Sequence, residues 1–291
     1  KKKWNEEIRS VFEKNNSNYS GSMPVLITNN ESLEKLYHMG LMGVIYFRRD
    51  NPISSMGRTY DTLMPRYWQT VTFIWDYYLS GMVHAMLDPL VMKKYLEKWM
   101  SMDIHTCFGS EYVSGNSVGP WYSINDHAMV MMIKQYLEWT GNYDWLDSKI
   151  QKDKKVLEYF DDFVYQYKNF LTPRGLADYG GINNLLECVS TYIHEVASLN
   201  AANIANLNYA SDIYKMLGKK DQSINASSAA NEILKNINEL YLDGKGYWNA
   251  RQPDGTFFEV KHAYDFFTVM NTIGHSLSDR KKQEMVSFFI N

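Results

Sequence analysis

The sequence predicts an all-α fold in which helical hairpins close into a ring, an α/α toroid. Three observations carry that prediction. First, apolar residues recur at three- and four-residue spacing through most of the 291 residues, the period of helices that bury one face. Second, tight corners recur. "EWTGNYDWLDSKI" and "KMLGKKDQSINAS" both run helix, Gly, two residues, Asp, helix. The glycine can end one helix in the left-handed region and the aspartate can cap the next. Third, strand-like runs are few and short.

In chain order, the spacing predicts helices over Trp4–Glu13, Leu33–Phe47, Thr70–Met86 and Pro89–Met102, with Asp88 capping and Pro89 at the first helical position. Further helices are predicted over Asp126–Trp139, Asp144–Phe170, Val189–Leu217, Asp221–Leu242 and His262–Ile273. A last one opens at "SDRKKQEM", capped by Ser278 or Asp279. "GYWNARQPDGTFFEV" (246–260) is the best hairpin, with Asp254-Gly255 between aromatic arms. No linker divides the chain, so 1–291 reads as one domain. The long connections 48–69, 103–125, 171–188 and 244–261 are rich in Gly, Trp, Tyr and Asp. In a toroid such loops gather at one end, where sites are built.

Composition narrows the function. Hydrophobic residues make up 45% and charged residues 22%, enough for a large core. The net charge of −3 and the lack of a basic stripe argue against a nucleic-acid partner. No apolar run has the length of a membrane helix. Two cysteines exclude a disulfide scaffold and a cysteine-rich zinc site. The seven histidines are scattered, and no metal, phosphate-loop, dinucleotide or serine-nucleophile motif appears, so neither metal nor cofactor is expected. Aromatic residues reach 15%. That fits either a helical core with amphipathic rims or a sugar site, where flat rings stack on pyranose faces.

"GLADYGGINNLLE" (175–187) concentrates chemistry between two helical runs. Glycoside hydrolysis needs a carboxylic acid to protonate the leaving oxygen and a second carboxylate to activate water or attack. Asp178, between apolar Leu176-Ala177 and Tyr179-Gly180-Gly181, can be that acid, another contact to the substrate, or a turn residue beside glycines. Glu187 can be the second carboxylate or a favourable charge at a helix start. Asp76 in "IWDYYL" lies inside an apolar run, where a charge must be paired or face a wet cavity. Its pairing candidates are Arg66 and a helix N-terminus. Asp126 and His127 start a helix below a loop whose Trp121 and Tyr122 can form a sugar-stacking platform. Trp68 and Trp75 are further stacking candidates, although a tryptophan inside an apolar helical run is more often core. Tyr179, Asn183 and Asn184 can contact sugar hydroxyls.

Segments 65–100, 119–147 and 173–210 resemble the α/α-toroid glycoside hydrolases of clan G, the trehalase and processing α-glucosidase group. The matching pieces are the Trp75-Asp76 pair, the Gly175-Leu176 and Asp178 loop, and Leu199-Asn200-Ala201. "LADYGG" is also similar to the Gly-Asp-Trp loop of the α-L-rhamnosidase toroid. The resemblance implies an (α/α)6 toroid, an inverting two-carboxylate cleavage of an α-linked glycoside, Asp178 as general acid and Asp76 as a contact to the cleaved sugar. It implies a glycoside or oligosaccharide substrate and a bacterial protein of the periplasm or outside the cell. Such folds can carry calcium, but no ligand cluster in the sequence argues for it. The family's base is a glutamate in a late aromatic segment that this sequence does not contain. The expectation is therefore a fragment of a longer enzyme, incomplete at its C-terminal end, with Glu111 or Glu187 as internal substitutes for the base. Two other classes compete. A sugar epimerase would work through His127, His194 and His262, and a glycan-binding toroid would hold sugar without catalysis.

Overall fold

A computed structural model describes residues 2–62, 70–151, 153–181, 189 and 191–291. Glu187 and Asn183 lie outside the described residues, as do Arg66, Trp68 and Asn184. Among the described residues the chain is predominantly helical, but it also holds small antiparallel sheets that an all-α expectation does not contain. It divides into two compact units, residues 1–121 with 131–159 and residues 122–130 with 160–291.

The first unit carries α1 (Lys2–Ser10), α2 (Glu31–Tyr46), α3 (Ile74–Leu79), α4 (Gly81–Leu87) and α5 (Pro89–Met100). Strands β1 (Arg48–Asp50) and β2 (Arg58–Tyr60) form a ladder with Arg49 opposite Thr59. Strands β3 (Val71–Phe73), β4 (Gly109–Glu111) and β5 (Ser117–Val118) form a second sheet. The single helix expected over 70–86 is thus a strand followed by two short helices. The β-branched run Thr70-Val71-Thr72 favours the pleated strand, and the chain bends at Ser80, whose N–H bonds back to Tyr77 O at 3.2 Å. Behind this sheet Tyr77, Tyr95 and Trp99 pack ring against ring, with Tyr95 OH 2.9 Å from Thr72 Oγ1. Asp88 precedes α5 as expected, but its side chain does not cap the helix. Buried at 2% exposure, it accepts from Ser20 Oγ (2.7 Å), Tyr60 OH (2.9 Å) and Arg58 Nη1 (3.0 Å). A buried charge needs such partners more than a helix end needs a cap. Ser20 Oγ then accepts the Leu90 N–H at 3.0 Å in its place.

Helices α6 (Asn125–Thr140) and α7 (Val156–Tyr165) follow. The long helix expected over 144–170 is broken. A 3-10 turn at Tyr143–Asp147 leads to a loop in which Ile150 N–H bonds Lys154 O at 3.0 Å and Asp153 takes a φ of 60°. Both predicted corner glycines are left-handed, Gly141 at φ 67° and Gly218 at φ 74°. The corner aspartates are not caps: Asp144 lies within the 3-10 turn and Asp221 within the first turn of the next helix.

In the second unit α8 (Ala197–Met216) is buried on almost every face and packs against α9 (Lys220–Ile237) and α10 (Ala263–Ile273). Its alanines and asparagines let those neighbours approach closely. α8 starts later than expected because His194 sits at φ 67°, outside the helical region. Strands β6 (Tyr241–Leu242), β7 (Tyr247–Arg251) and β8 (Phe257–Glu259) form a sheet. The predicted hairpin is present in it, with Ala250 opposite Phe258 and Gly255 at φ 89° in the turn. α11 (Asp279–Ile290) closes the chain, capped by Ser278, which accepts from Lys281 N–H at 3.3 Å.

Candidate active site

In the first unit, the backbone itself brings two aspartates to one cavity. Asp61 directly follows β2, and its N–H bonds Phe47 O at 3.1 Å. Thr62 ties this segment to β3: its N–H donates to Val71 O (2.9 Å), and its Oγ1 accepts from Phe73 N–H (2.8 Å). β3 runs straight into α3, which carries Asp76 in its first turn. Asp61 and Asp76 thereby line the same cavity of about 310 Å³, with Tyr60, Thr62, Ser80 and His84. The end of α2 supplies the remaining wall, through Gly40, Gly43 and Val44, and Phe47 adjoins it. The volume is at the lower end of small-molecule sites, about 300–1,000 Å³.

Burial sets the acid–base chemistry. Asp61 is 1% exposed, and burial pushes its carboxyl up to about 6 against the opposing pull of Thr59 and the Arg49 guanidinium, with which it forms an ion pair. Burial also pushes Asp76 up to about 6, and a hydrogen bond with Thr62 holds it from going higher. Asp61 faces a cation, whereas the hydrogen-bond partner of Asp76 is a neutral hydroxyl. With these opposing pulls included, both carboxyls sit near 6, so near that pH one can hold a proton while the other is charged. His84 is 3% exposed, stacks on Tyr77 at 3.9 Å and contacts Ser80 Oγ through Nε2 at 3.0 Å. Burial lowers its pKa to about 3, so it is neutral.

The second unit holds the Asp178 loop. Residues 172–175 turn tightly, with Gly175 N–H on Thr172 O at 2.9 Å and Gly175 at φ 75°. A side chain at Gly175 would collide with Asn236. Asn200 of α8 clamps the returning strand: its Oδ1 accepts Ala177 N–H (2.8 Å) and its Nδ2 donates to Ala177 O (3.1 Å). Asp178 is thus fixed by the Leu-Asn-Ala helix. Its Oδ1 accepts from Gly180 N–H at 2.8 Å and lies 2.9 Å from His194 Nδ1. Tyr179 OH donates to Asn203 Oδ1 at 2.9 Å. Below the loop, Glu195 is fully buried and paired with Arg251 and Arg174.

The other expected residues fall as follows. Trp75 is half-buried beside Asp76 on α3. Trp121 is half-buried, its ring 6.0 Å from that of His105. Tyr122 is 9% exposed, which leaves little face for stacking. Asp126 is buried in the first turn of α6. Glu111 accepts the Val113 and Ser114 N–H groups at 2.6 and 2.8 Å, a turn-forming role. His127 is buried, lowered to about 4, with Nδ1 2.8 Å from Asn206 Oδ1. His262 caps α10, accepting from Tyr264 N–H at 3.1 Å. Sequence reasoning missed Asp61 and His84. The only local signal for Asp61 is an aspartate just after the β-prone Arg-Thr-Tyr run, and its burial depends on distant elements. Among the described residues no group of three or more His, Cys, Asp or Glu is placed to hold a metal ion, and no helix is long and apolar enough to cross a membrane.

No protein-family model matches the chain, and no curated protein matches it by sequence. Solved structures do match. A rhamnosidase from Klebsiella oxytoca with rhamnose bound aligns over 93% of this chain and 49% of its own, with a TM-score of 0.66 and 8% identity. A GH78 family rhamnosidase of Bacillus sp. GL1 aligns over 74% of this chain and 22% of its own, with a TM-score of 0.59 and 13% identity. The chain therefore has a glycoside-hydrolase-like helical fold, and it spans about half of one of these proteins and about a fifth of the other.

Proposed function

We propose that the chain carries the sugar-cleaving site of a glycoside hydrolase acting on α-linked glycosides of the rhamnoside type. The observation that carries this reading is the pair Asp61 and Asp76, both raised to about 6, lining one cavity. A carboxylic acid that keeps its proton near neutral pH and a second carboxylate beside it are what the reaction requires. Asp76 gives its proton to the glycosidic oxygen as the bond from that oxygen to the anomeric carbon breaks. Asp61, whose side chain is closed off from solvent in the free protein, takes a proton from a water that must reach it as the sugar binds, and that water's oxygen bonds the anomeric carbon. In this inverting sequence Asp76 ends as carboxylate and Asp61 as acid, and exchange with solvent resets both. The Arg49 guanidinium opposes the rise that burial gives Asp61, and so favours the charged form needed at the start. The rhamnosidase structures support the sugar class, and the left-handed corner glycines support a toroid of helical hairpins.

A second reading rests on the Asp178–His194 pair. There Asp178 is the acid, as the family resemblance implies, and His194, held at φ 67°, orients it. Sugar release from p-nitrophenyl α-L-rhamnopyranoside by Asp76→Asn and Asp178→Asn separates the two. Loss only in the first supports the Asp61–Asp76 cavity. Loss only in the second moves the acid to Asp178.

A further inference from the structure

Gly40 and Gly43 stand inside α2, where glycine weakens a helix relative to alanine because it loses more backbone freedom on folding. A mid-helix glycine usually has a packing reason: a side chain there would strike a neighbour. Here that reason is absent. A Cβ built at either position meets nothing within 4 Å, and neither glycine takes a positive φ. Three-residue spacing puts both on one face of α2, and both line the cavity of Asp61 and Asp76. A second feature of the cavity wall is a buried imidazole. His84, 3% exposed and lining the same space, has an Nδ1 with no hydrogen-bond partner among the described residues.

We infer that Gly40 and Gly43 are specificity-determining positions: the space their missing side chains leave is taken by the bound sugar, whose apolar C–H face lies over bare helix backbone. The sugar's hydroxyls then face the Asp76 side of the cavity. This inference rests on the hydrolase reading above and adds a wall to it. It has a signature that a structural role would not give. Alanine at either position removes a helix defect without a clash, so stability should rise while sugar binding falls.

The test compares wild type, Gly43→Ala and Gly43→Leu in three measurements: Tm, kcat and KM on p-nitrophenyl α-L-rhamnopyranoside, and the Kd of L-rhamnose by calorimetry. Gly43→Ala should raise Tm by about 2 °C and raise KM several-fold. Gly43→Leu should raise KM and Kd about tenfold or more, with a smaller change in kcat. Should the leucine variant not fold, the alanine variant still decides. Unchanged KM and Kd in the folded variants overturn the inference while the hydrolase reading stands. A wild type that binds rhamnose, weakened by Gly43→Leu, but cleaves nothing overturns the hydrolase reading alone. A wild type that neither binds nor cleaves overturns both.

Discussion

At the scale of single residues, the central pair makes different demands on its neighbours. Asp76 has burial working to raise its pKa and Thr62 working to lower it. Thr62→Val should therefore push Asp76 further up, so that the acid stays protonated to higher pH. The alkaline limb of the kcat/KM profile should move upward, and Thr62→Ser should restore it. A limb that stays in place would separate Thr62 from the acid. With both carboxyls near 6, one needed protonated and the other ionised, activity should form a narrow bell centred near pH 6. Sequence reading found Asp76 because a charge inside an apolar run is conspicuous. It missed Asp61 because that residue's burial is made by Phe47 and Arg49, contacts that no local pattern reports.

Among elements, the loop that carries Asp178 is held by two devices. Asn200 satisfies both polar groups of Ala177, and Asn200→Ala would leave a buried N–H and C=O unpaired, a loss of about 2–3 kcal/mol in urea unfolding. Glu195, paired with Arg251 and Arg174, is fully buried, and Glu195→Ala would take from Arg251, itself 4% exposed, its buried partner and leave it only the more exposed Glu239, at about 3–5 kcal/mol. Losses below about 1 kcal/mol in both variants would show that the loop is held elsewhere. Helix periodicity made α2, α5, α6, α8, α9, α10 and α11 legible to within a few residues at most ends. The exceptions are α8 at its start and α9 at its end, where the helix expected to run to Leu242 stops at Ile237 and Tyr241–Leu242 is β6. The period could not show where β3 interrupts a helical-looking run: the β-branched residues lean to strand, but the sheet partners in β4 decide it. Nor could it show the break after Asp147, which rests on backbone bonds between loop residues.

For the molecule as a whole, buried carboxyls set the dependence of stability on pH. Asp265, 2% exposed on α10, is pushed up to about 7 by burial, against hydrogen bonds from Tyr192 and the Ser198 N–H. Its folded pKa exceeds the ordinary 3.8, so between about pH 4 and 7 the folded state binds more protons than the unfolded state. Unfolding free energy should fall as pH rises through that window. Asp265→Asn, which cannot ionise, should flatten the fall, and an unchanged slope would assign the dependence to other groups. Whether the two aspartates cleave a glycoside is decided by release of p-nitrophenol from the α-L-rhamnoside by wild type, Asp61→Asn and Asp76→Asn, from pH 4 to 8. Each variant should lose at least about a hundredfold in rate while keeping its circular-dichroism spectrum. Full activity in either variant would contradict that role.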